Sequence, residues 1–170
     1  MISQKKKPAI FFDRDGVLNV DRGFVHKPED FEWTAGALEA IKWCNDNGYL
    51  VIVVTNQSGI ARGYYSEDCF HRLTDWVNEG LHEIGAHIDA TYFCPHHPEV
   101  QGEYGIECTC RKPADGLIRR AIDEWNIDPD ASLLIGDKEI DLEAAESAGI
   151  RGLLFQGENL LEFVQQKVKE

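Results

Sequence analysis

A short apolar run followed directly by two aspartates is the feature that most constrains this chain. Residues 9–12 are all apolar, and charge and glycine end the run, which predicts a buried β-strand and not a helix. Asp13 and Asp15 follow with one residue between them, and Gly16 allows the backbone to turn sharply. In open α/β sheets, ligands bind at the carboxyl ends of strands. Two carboxylates this close repel each other unless they share a cation or a proton, and Mg²⁺ favours such oxygen ligands.

The same two aspartates also fit a plain charged turn, because Asp-x-Asp-Gly alone is a weak motif. A calcium-binding EF-hand loop is a third interpretation. It fails because Val17 occupies the fifth ligand position and no helix precedes the loop. The metal-binding interpretation therefore depends on polar residues elsewhere in the chain.

The rest of the chain alternates between predicted strands and predicted helices. Apolar runs predict four further strands, at 49–54, 91–93, 132–135 and 152–155. Helical spacing and cap residues predict helices at 36–47, 66–84, 116–126, after Asp141 and at 160–168. This alternation predicts an α/β fold of three layers with a Rossmann-like parallel sheet and right-handed crossovers. We expect one domain over residues 1–170, with no separate cap domain and with loops that shape the pocket.

Composition narrows the classes of function. The net charge of -13 argues against a general binder of nucleic acid or anionic membranes, because phosphate backbones need clustered Lys and Arg. No apolar stretch approaches the length of a membrane span, and the apolar run after the lysines at 5–7 is too short for a secretory signal. Five cysteines cannot all pair within one chain, which favours the reducing cytoplasm. We expect a monomer, since no long exposed apolar helix demands a partner.

Polar residues at the predicted strand ends supply what the hydrolysis of a phosphate ester needs. Asp13 leaves the first strand and is the candidate nucleophile, and Asp15 is the candidate acid and base. Thr55 and Asn56 end the second strand, where a hydroxyl, an amide and exposed N–H groups can hold phosphoryl oxygens. Lys112 can neutralise phosphoryl charge, although a Lys-Pro pair alone means little.

The segment after the fourth strand carries two more aspartates. Asp137 is a candidate metal ligand. Asp141 is expected either to support the metal ligands or to place a negative charge at the start of a helix. Lys138 is either a charge partner of Asp137 or a substrate contact. In the loop after the first strand, His26 is expected either to contact substrate or to make a hydrogen bond within the loop.

Three cysteines and a histidine flank a loop, residues 94–110, that has little apolar content to hold it in place. They are Cys94, His96, Cys108 and Cys110. Three thiolates and an imidazole close a tetrahedral structural Zn²⁺ site, so we expect zinc here, with His97 as a rival to His96. The alternatives are free thiols, or a disulfide from Cys94 to Cys108 or Cys110.

Six segments carry motifs that recur together in one family. They are 13–19 (Asp-Arg-Asp-Gly-x-x-Asn), 23–26, 55–63, 94–98, 108–113 and 136–138. Together they resemble the haloacid dehalogenase superfamily of phosphohydrolases, and within it the D-glycero-D-manno-heptose-1,7-bisphosphate 7-phosphatases and the related histidinol-phosphate phosphatases. The resemblance implies a haloacid dehalogenase-like fold, an aspartyl-phosphate intermediate, catalytic Mg²⁺ and structural Zn²⁺. One departure, Ala114-Asp115 after Lys112-Pro113, affects only that turn.

The resemblance also implies which residues bind metal and substrate. Magnesium is expected on the carboxylates of Asp13 and Asp137 and on the backbone carbonyl of Asp15. Substrate contacts are expected at Asp21, Arg22, Gly23, Phe24, Thr55, Asn56, Gln57, Ser58, Arg111, Lys112 and Lys138. Arg111 is expected to hold the second phosphate or the sugar, a task that suits a guanidinium fork.

The implied reaction removes the 7-phosphate of a phosphorylated heptose, within the synthesis of nucleotide-activated heptose for lipopolysaccharide. Histidinol-phosphate phosphatases are the nearest alternative, but they carry a shorter loop between the zinc half-sites. A polynucleotide phosphatase shares part of segment 55–63, and the acidic charge and the zinc loop oppose it. A catalytically inactive, zinc-stapled interaction module is the last alternative. It predicts loss of Asp13, Asp15, Lys112 or Asp137, and all four are present.

Overall fold

The computed structural model describes residues 4–170, which fold around one five-stranded parallel sheet. The strands are β1 (Ala9–Phe12), β2 (Leu50–Asn56), β3 (Ala90–Cys94), β4 (Leu133–Gly136) and β5 (Arg151–Leu154). The helices are α1 (Ala37–Asp46), α2 (Glu67–Glu83), α3 (Gly116–Trp125), α4 (Glu139–Ser147) and α5 (Leu160–Val168). The strands lie in the order β3-β2-β1-β4-β5, and the predicted parallel α/β sheet is therefore confirmed.

β1 lies at the centre of the sheet and supplies both hydrophobic cores. Its four side chains are fully buried. Ile10 and Phe12 pack in the core with α1, α2 and α5, whereas Ala9 and Phe11 pack in the core with α3 and α4. Successive strand residues point to opposite faces, so a strand covered on both faces needs an apolar run without a polar break. The predicted three layers are confirmed.

The helix ends follow from their cap residues, with one difference from the sequence prediction. α2 begins after Ser66, whose side chain accepts a hydrogen bond from the N–H of Cys69 at 3.1 Å, as the sequence predicts. The prediction that a helix follows Asp141 is wrong, because α4 already begins at Glu139. Asp141 lies in the first turn, where its Oδ2 accepts from the N–H of Lys138 at 3.2 Å and stabilises that helix end.

Loops and not a second domain stand over the carboxyl edge of the sheet. Within residues 4–170, the long connections after β1, β2 and β3 fill this role, so the expected lack of a cap domain is confirmed for the described chain. None of the described helices is both long enough and apolar enough to span a bilayer. Side chains of any site at this edge must therefore come from the strand ends and from these three loops.

Candidate active site

The candidate active site lies where β1, β2 and β4 end. β1 pairs with both β2 and β4, so the strand order changes direction here, which is where open α/β sheets bind ligands. Asp13 follows β1, Asn56 ends β2 and Asp137 follows β4. The N–H of Asp13 donates to the carbonyl of Ile135 at 3.0 Å and extends the ladder by one residue. Segments far apart in the sequence thus meet at one edge.

Gly16 makes the tight turn after β1 possible. Its φ is +89°, in the left-handed region that glycine adopts without strain. Its N–H donates to the carbonyl of Asn19 at 2.8 Å and closes the turn. A Cβ at this position would overlap the carboxylate of Asp137. The turn therefore needs glycine for its backbone shape and for the close approach of Asp137.

Three carboxylates form the floor of the site. Asp13, Asp137 and Asp141 each place an oxygen within 4.8 Å of the others. Burial raises the pKa of Asp13 to about 7, an effect that Lys112 opposes and the neighbouring carboxylates reinforce. Burial also raises the pKa of Asp137. Crowded, buried carboxylates of this kind need a counter-charge.

This floor fits a magnesium ion. Oδ1 of Asp137 is buried and has no hydrogen-bond partner among the described residues. Such an oxygen is costly to bury unless something binds it, and Mg²⁺ takes carboxylate oxygens as ligands. Asp13 and Asp137 are placed to hold the ion, with Asp141 beside them.

Lys112 is the fixed positive charge of the floor. Its Nζ lies 2.6 Å from Oδ1 of Asp141, 3.1 Å from Oδ1 of Asp13 and 2.9 Å from the carbonyl of Val54. Burial alone would lower the pKa of Lys112, but the carboxylates of Asp13 and Asp141 raise it above its usual value. Lys112 therefore stays charged and joins the ends of β1 and β2 to α4.

The side chain of Asn56 holds the segment that carries Lys112. Its Nδ2 donates to the carbonyl of Lys112 at 3.1 Å, and its Oδ1 accepts from the N–H of Lys112 at 3.0 Å. Thr55 is buried, and its Oγ1 accepts from Nε2 of Gln57 at 2.9 Å. Asn56 thus positions Lys112, whereas Thr55 supports a neighbouring side chain.

The carboxylate of Asp15 is surrounded by hydrogen-bond donors. Oδ1 accepts from Arg14 and from Asn19, each at 3.0 Å, and Oδ2 accepts from Gln57 at 3.1 Å. Arg14 also donates to the carbonyl of Val25 at 2.7 Å, which ties the following loop to the same cluster. Asp15 faces the cleft from a fixed position.

A cleft of about 260 Å³ opens above these groups, a volume that suits a small metabolite. Nine of the predicted substrate contacts line it: Asp21, Gly23, Phe24, Asn56, Gln57, Ser58, Arg111, Lys112 and Lys138. The other two do not. Arg22 pairs with Glu32 at 2.5 Å outside the cleft, and Thr55 lies buried beneath it. The cleft is also lined by Tyr65 and Ile140, which the sequence analysis did not single out.

The loop after β1 covers one side of the cleft. Phe24 adopts a positive φ of 55°, which is unusual for a residue with a side chain. The side chain of Asp21 accepts from the N–H of Gly23 at 2.9 Å. His26 Nδ1 lies 2.7 Å from the carbonyl of Phe24, and its ring stacks on Tyr65. His26 thus has the loop hydrogen bond that was one of its two expected roles, and it does not line the cleft.

The predicted zinc ligands form a single cluster beside the site. The sulfurs of Cys94 and Cys110 lie 3.0 Å apart, and that of Cys108 lies 3.5 Å and 3.3 Å from them. Nδ1 of His96 lies 3.3 Å from the sulfur of Cys110. A disulfide needs about 2.05 Å, so none is formed. The four ligand atoms all lie within 4.8 Å of one another, a compact group that can close around a zinc ion.

Geometry distinguishes His96 from its neighbour. His96 belongs to the cluster, whereas Nδ1 of His97 accepts a hydrogen bond from the N–H of Glu99 at 3.2 Å. Burial alone would raise the pKa of Cys108, but hydrogen bonds from Cys110 and from the backbone lower it to about 7. Burial raises the pKa of the Cys94 and Cys110 thiols, so these two need the charge of a bound metal to ionise at neutral pH. These four residues fit a structural zinc site.

Comparison with known proteins agrees with this geometry. Residues 109–160 match a protein-family model described as HAD-hydrolase-like. The D-glycero-beta-D-manno-heptose-1,7-bisphosphate 7-phosphatase of Haemophilus ducreyi is 52% identical over 85% of this chain and 80% of its own length. The D-glycero-alpha-D-manno-heptose-1,7-bisphosphate 7-phosphatase of Photorhabdus laumondii is 44% identical over 88% of this chain and 82% of its own.

A solved structure is similar over nearly the whole chain. It is the D,D-heptose 1,7-bisphosphate phosphatase from B. bronchiseptica, complexed with magnesium and phosphate. The two chains are 33% identical, with a TM-score of 0.81 over 94% of this chain and 86% of the other. The chain belongs to the D-glycero-D-manno-heptose-1,7-bisphosphate 7-phosphatase family of haloacid dehalogenase-like hydrolases.

Proposed function

We propose that this protein is a Mg²⁺-dependent phosphatase that removes the 7-phosphate of D-glycero-D-manno-heptose 1,7-bisphosphate. The observation that carries the proposal is the floor of the site, where Oδ1 of Asp13 lies 3.1 Å from Nζ of Lys112 and an Asp13 oxygen lies within 4.8 Å of an oxygen of Asp137. The relatives named for this reaction support the substrate. The product would serve the synthesis of nucleotide-activated heptose for lipopolysaccharide.

Asp13 is the proposed nucleophile. Its carboxylate oxygen attacks phosphorus, the bond from phosphorus to the sugar oxygen breaks, and Asp15 gives a proton to that oxygen. Water then attacks the phosphorus of the aspartyl-phosphate while Asp15 takes its proton, which releases phosphate and restores Asp13. Mg²⁺, held by Asp13, Asp137 and the backbone carbonyl of Asp15, would supply neutralising charge to the phosphoryl group.

Lys112 supports the first step in two ways. Its ammonium offsets the charge of the phosphoryl oxygens that approach the acidic floor. It also orients Asp13 through the contact of 3.1 Å, while Asp141 and Asn56 keep the lysine in place. An attacking carboxylate held in this way loses little freedom when it reacts.

The anomeric phosphate is proposed to bind away from the floor, at Arg111 and Lys138. Both line the cleft, and neither belongs to the acidic floor. Two cations placed there suit a second phosphate, because charge-assisted hydrogen bonds to phosphate are strong. The same cations disfavour histidinol phosphate, whose own amine is positively charged and would meet them.

Initial rates with Mg²⁺ on the α and β anomers of heptose 1,7-bisphosphate and on histidinol phosphate test the proposal. We expect a bisphosphate to give the highest kcat/KM, by at least about 100-fold over histidinol phosphate, since about two charge-assisted contacts are involved. Relatives named for each anomer match this chain, so both anomers are measured. Preference for histidinol phosphate would contradict the proposal.

The remaining proposals concern assembly and setting. A monomer is also proposed, and sedimentation velocity measures the assembly state. A reducing cytoplasm is supported by the zinc cluster, whose thiols must stay unoxidised to bind metal. Cell fractionation with an antibody to the protein would test that location.

A further inference from the structure

A line of hydrogen bonds joins the hydroxyl of Tyr65 to the carboxylate of Asp15. Oη of Tyr65 donates to Oε1 of Gln57 at 2.5 Å. Nε2 of the same amide donates to Oδ2 of Asp15 at 3.1 Å and to Oγ1 of Thr55 at 2.9 Å. Gln57 is buried, and both ends of its amide have partners of the right kind. Residue 65 is thereby connected to the proposed acid and base.

Packing holds the Tyr65 ring where its hydroxyl can reach Gln57. The ring stacks on His26, with centroids 4.7 Å apart and planes 9° apart. It also lies so close to Gly59 that a Cβ there would overlap it. The N–H of Tyr64 donates to the carbonyl of Gly59 at 2.9 Å, which folds the segment back on itself. The hydroxyl is therefore aimed at Gln57 by the local fold.

The hydroxyl decides which way the Gln57 amide points. A flipped amide would set Oε1 against the carboxylate of Asp15, so that two acceptors faced each other without a proton. Burial raises the pKa of Tyr65 to about 12, so the phenol keeps its proton at neutral pH and donates. With the phenol present, the amide has one favourable orientation.

We propose that Tyr65 and Gln57 are positioning residues for Asp15, which rests on the function proposed above. The Tyr65 hydroxyl fixes the Gln57 amide, and the amide holds the Asp15 carboxylate toward the oxygen of the breaking ester. This orientation should speed the transfer of a proton from Asp15 to the leaving oxygen. A sugar alkoxide cannot leave without a proton, whereas 4-nitrophenolate leaves unprotonated.

The test uses Tyr65→Phe, which removes one oxygen and keeps the ring. With heptose 1,7-bisphosphate we expect kcat to fall about tenfold while KM stays within about twofold, the pattern of an interaction that acts in the transition state. The burst of 4-nitrophenolate from 4-nitrophenyl phosphate, which reports the first step alone, should change by less than about twofold. The matched control is Tyr64→Phe at the neighbouring side chain, which is 56% exposed, and it should change neither rate.

A second variant keeps the proposal testable if the first does not fold. Gln57→Glu retains the acceptor for Tyr65 but places a carboxylate against Asp15, so kcat on the sugar phosphate should fall by more than about tenfold relative to wild type, while the 4-nitrophenolate burst should again change by less than about twofold. Equal losses on both substrates, a change in KM alone, or wild-type rates for the folded variants would overturn the proposal.

Failure of the proposed function would look different. A wild-type protein that leaves heptose 1,7-bisphosphate intact contradicts that function alone. The comparison then uses another alkyl phosphate that the enzyme hydrolyses, and the same contrast between alkyl and aryl esters decides the role of Tyr65.

Discussion

Asp13 is the residue at which burial and the proposed catalytic role conflict. Burial raises its pKa to about 7, well above the usual range of a carboxyl group, and Lys112 only partly offsets this effect. Without Mg²⁺ the folded state therefore keeps a proton on Asp13 that the unfolded chain releases above about pH 4. The proposed nucleophilic role requires the ionised carboxylate of Asp13. Without Mg²⁺ the site favours the protonated form instead.

The free energy of unfolding should accordingly depend on pH. Because the folded state binds the proton more tightly, the contribution of Asp13 is favourable below about pH 4 and is lost as pH rises to about 7. Urea unfolding in zinc-replete buffer without Mg²⁺, at pH 5, 6, 7 and 8, measures it. Asp13→Asn should flatten this dependence. A wild-type stability that rises through the same window relative to the variant would contradict the assignment.

Asp13→Asn should also lower kcat by more than about 10³-fold, because an amide is a poor nucleophile. The fold should persist, since asparagine is nearly isosteric and removes a charge that is costly to bury. Acid-quenched wild-type protein should carry one extra phosphoryl group on the peptide with Asp13, and the variant should not. Circular dichroism checks the fold. Substantial turnover by the variant would exclude Asp13 as nucleophile.

At this scale the sequence predicts which residues lie at the site better than it predicts their contacts. Asp13 and Asp15 could be predicted because a buried strand leads directly into them. Asp141 was expected to support the ligands or to place a charge at a helix start, and its carboxylate does stabilise the start of α4. Its pairing with Lys112 was not predicted. That pairing joins residues 29 positions apart and has no local pattern. Tyr65 was missed for the same reason.

The zinc loop, residues 94–110, connects the cluster of three cysteines and His96 to the cleft. Arg111 directly follows Cys110, and its Nη1 donates to the carbonyl of His96 at 3.3 Å. The cleft cation is thus held by the backbone of two zinc ligands. If the loop becomes less ordered, Arg111 should bind the anomeric phosphate of the substrate less well.

Cys108→Ser should raise KM for heptose 1,7-bisphosphate several-fold, by about 1 kcal/mol of binding, with a smaller change in kcat. Amide hydrogen exchange in the loop should increase, while exchange in β1 should not. The control is the wild-type protein after zinc removal and zinc restoration, which should reproduce the loss and then recover. Loss of zinc with unchanged exchange and turnover would contradict a structural role.

Elements were easier to predict from sequence than the pairing between them. The β-strands and α5 follow from apolar runs and spacing, because burial on both faces leaves a strong pattern. The start of α4 was placed too late, because its first turn is stabilised by Asp141 and not by a recognisable cap before it. The ligand role of His96 over His97 depends on how the loop folds, and the two side chains are adjacent in sequence.

The whole molecule depends on a central strand that serves two cores. Phe11 is fully buried, and Phe11→Ala should lower the free energy of unfolding by about 3–5 kcal/mol. Leu154→Ala is the control, because that side chain on the edge strand β5 is 38% exposed, and it should cost less than about 1 kcal/mol. Urea unfolding measures both. Equal losses would mean that the centre of the sheet is not the main source of stability.

The charge of the molecule is arranged for selectivity. The chain carries a net charge of -13, yet Arg111, Lys112 and Lys138 face the cleft. A negative surface with local cations disfavours polyanions and still admits a small phosphate ester. This distribution of charge therefore favours a small bisphosphate as the substrate.

Which phosphate leaves is the question that tests this account most directly. Phosphorus NMR can follow heptose 1,7-bisphosphate incubated with the protein and Mg²⁺, since the two phosphates give separate signals. The account predicts that the 7-phosphate signal decays into inorganic phosphate while the anomeric phosphate signal persists. Loss of the anomeric signal first, or no release under conditions in which histidinol phosphate is consumed, would contradict it.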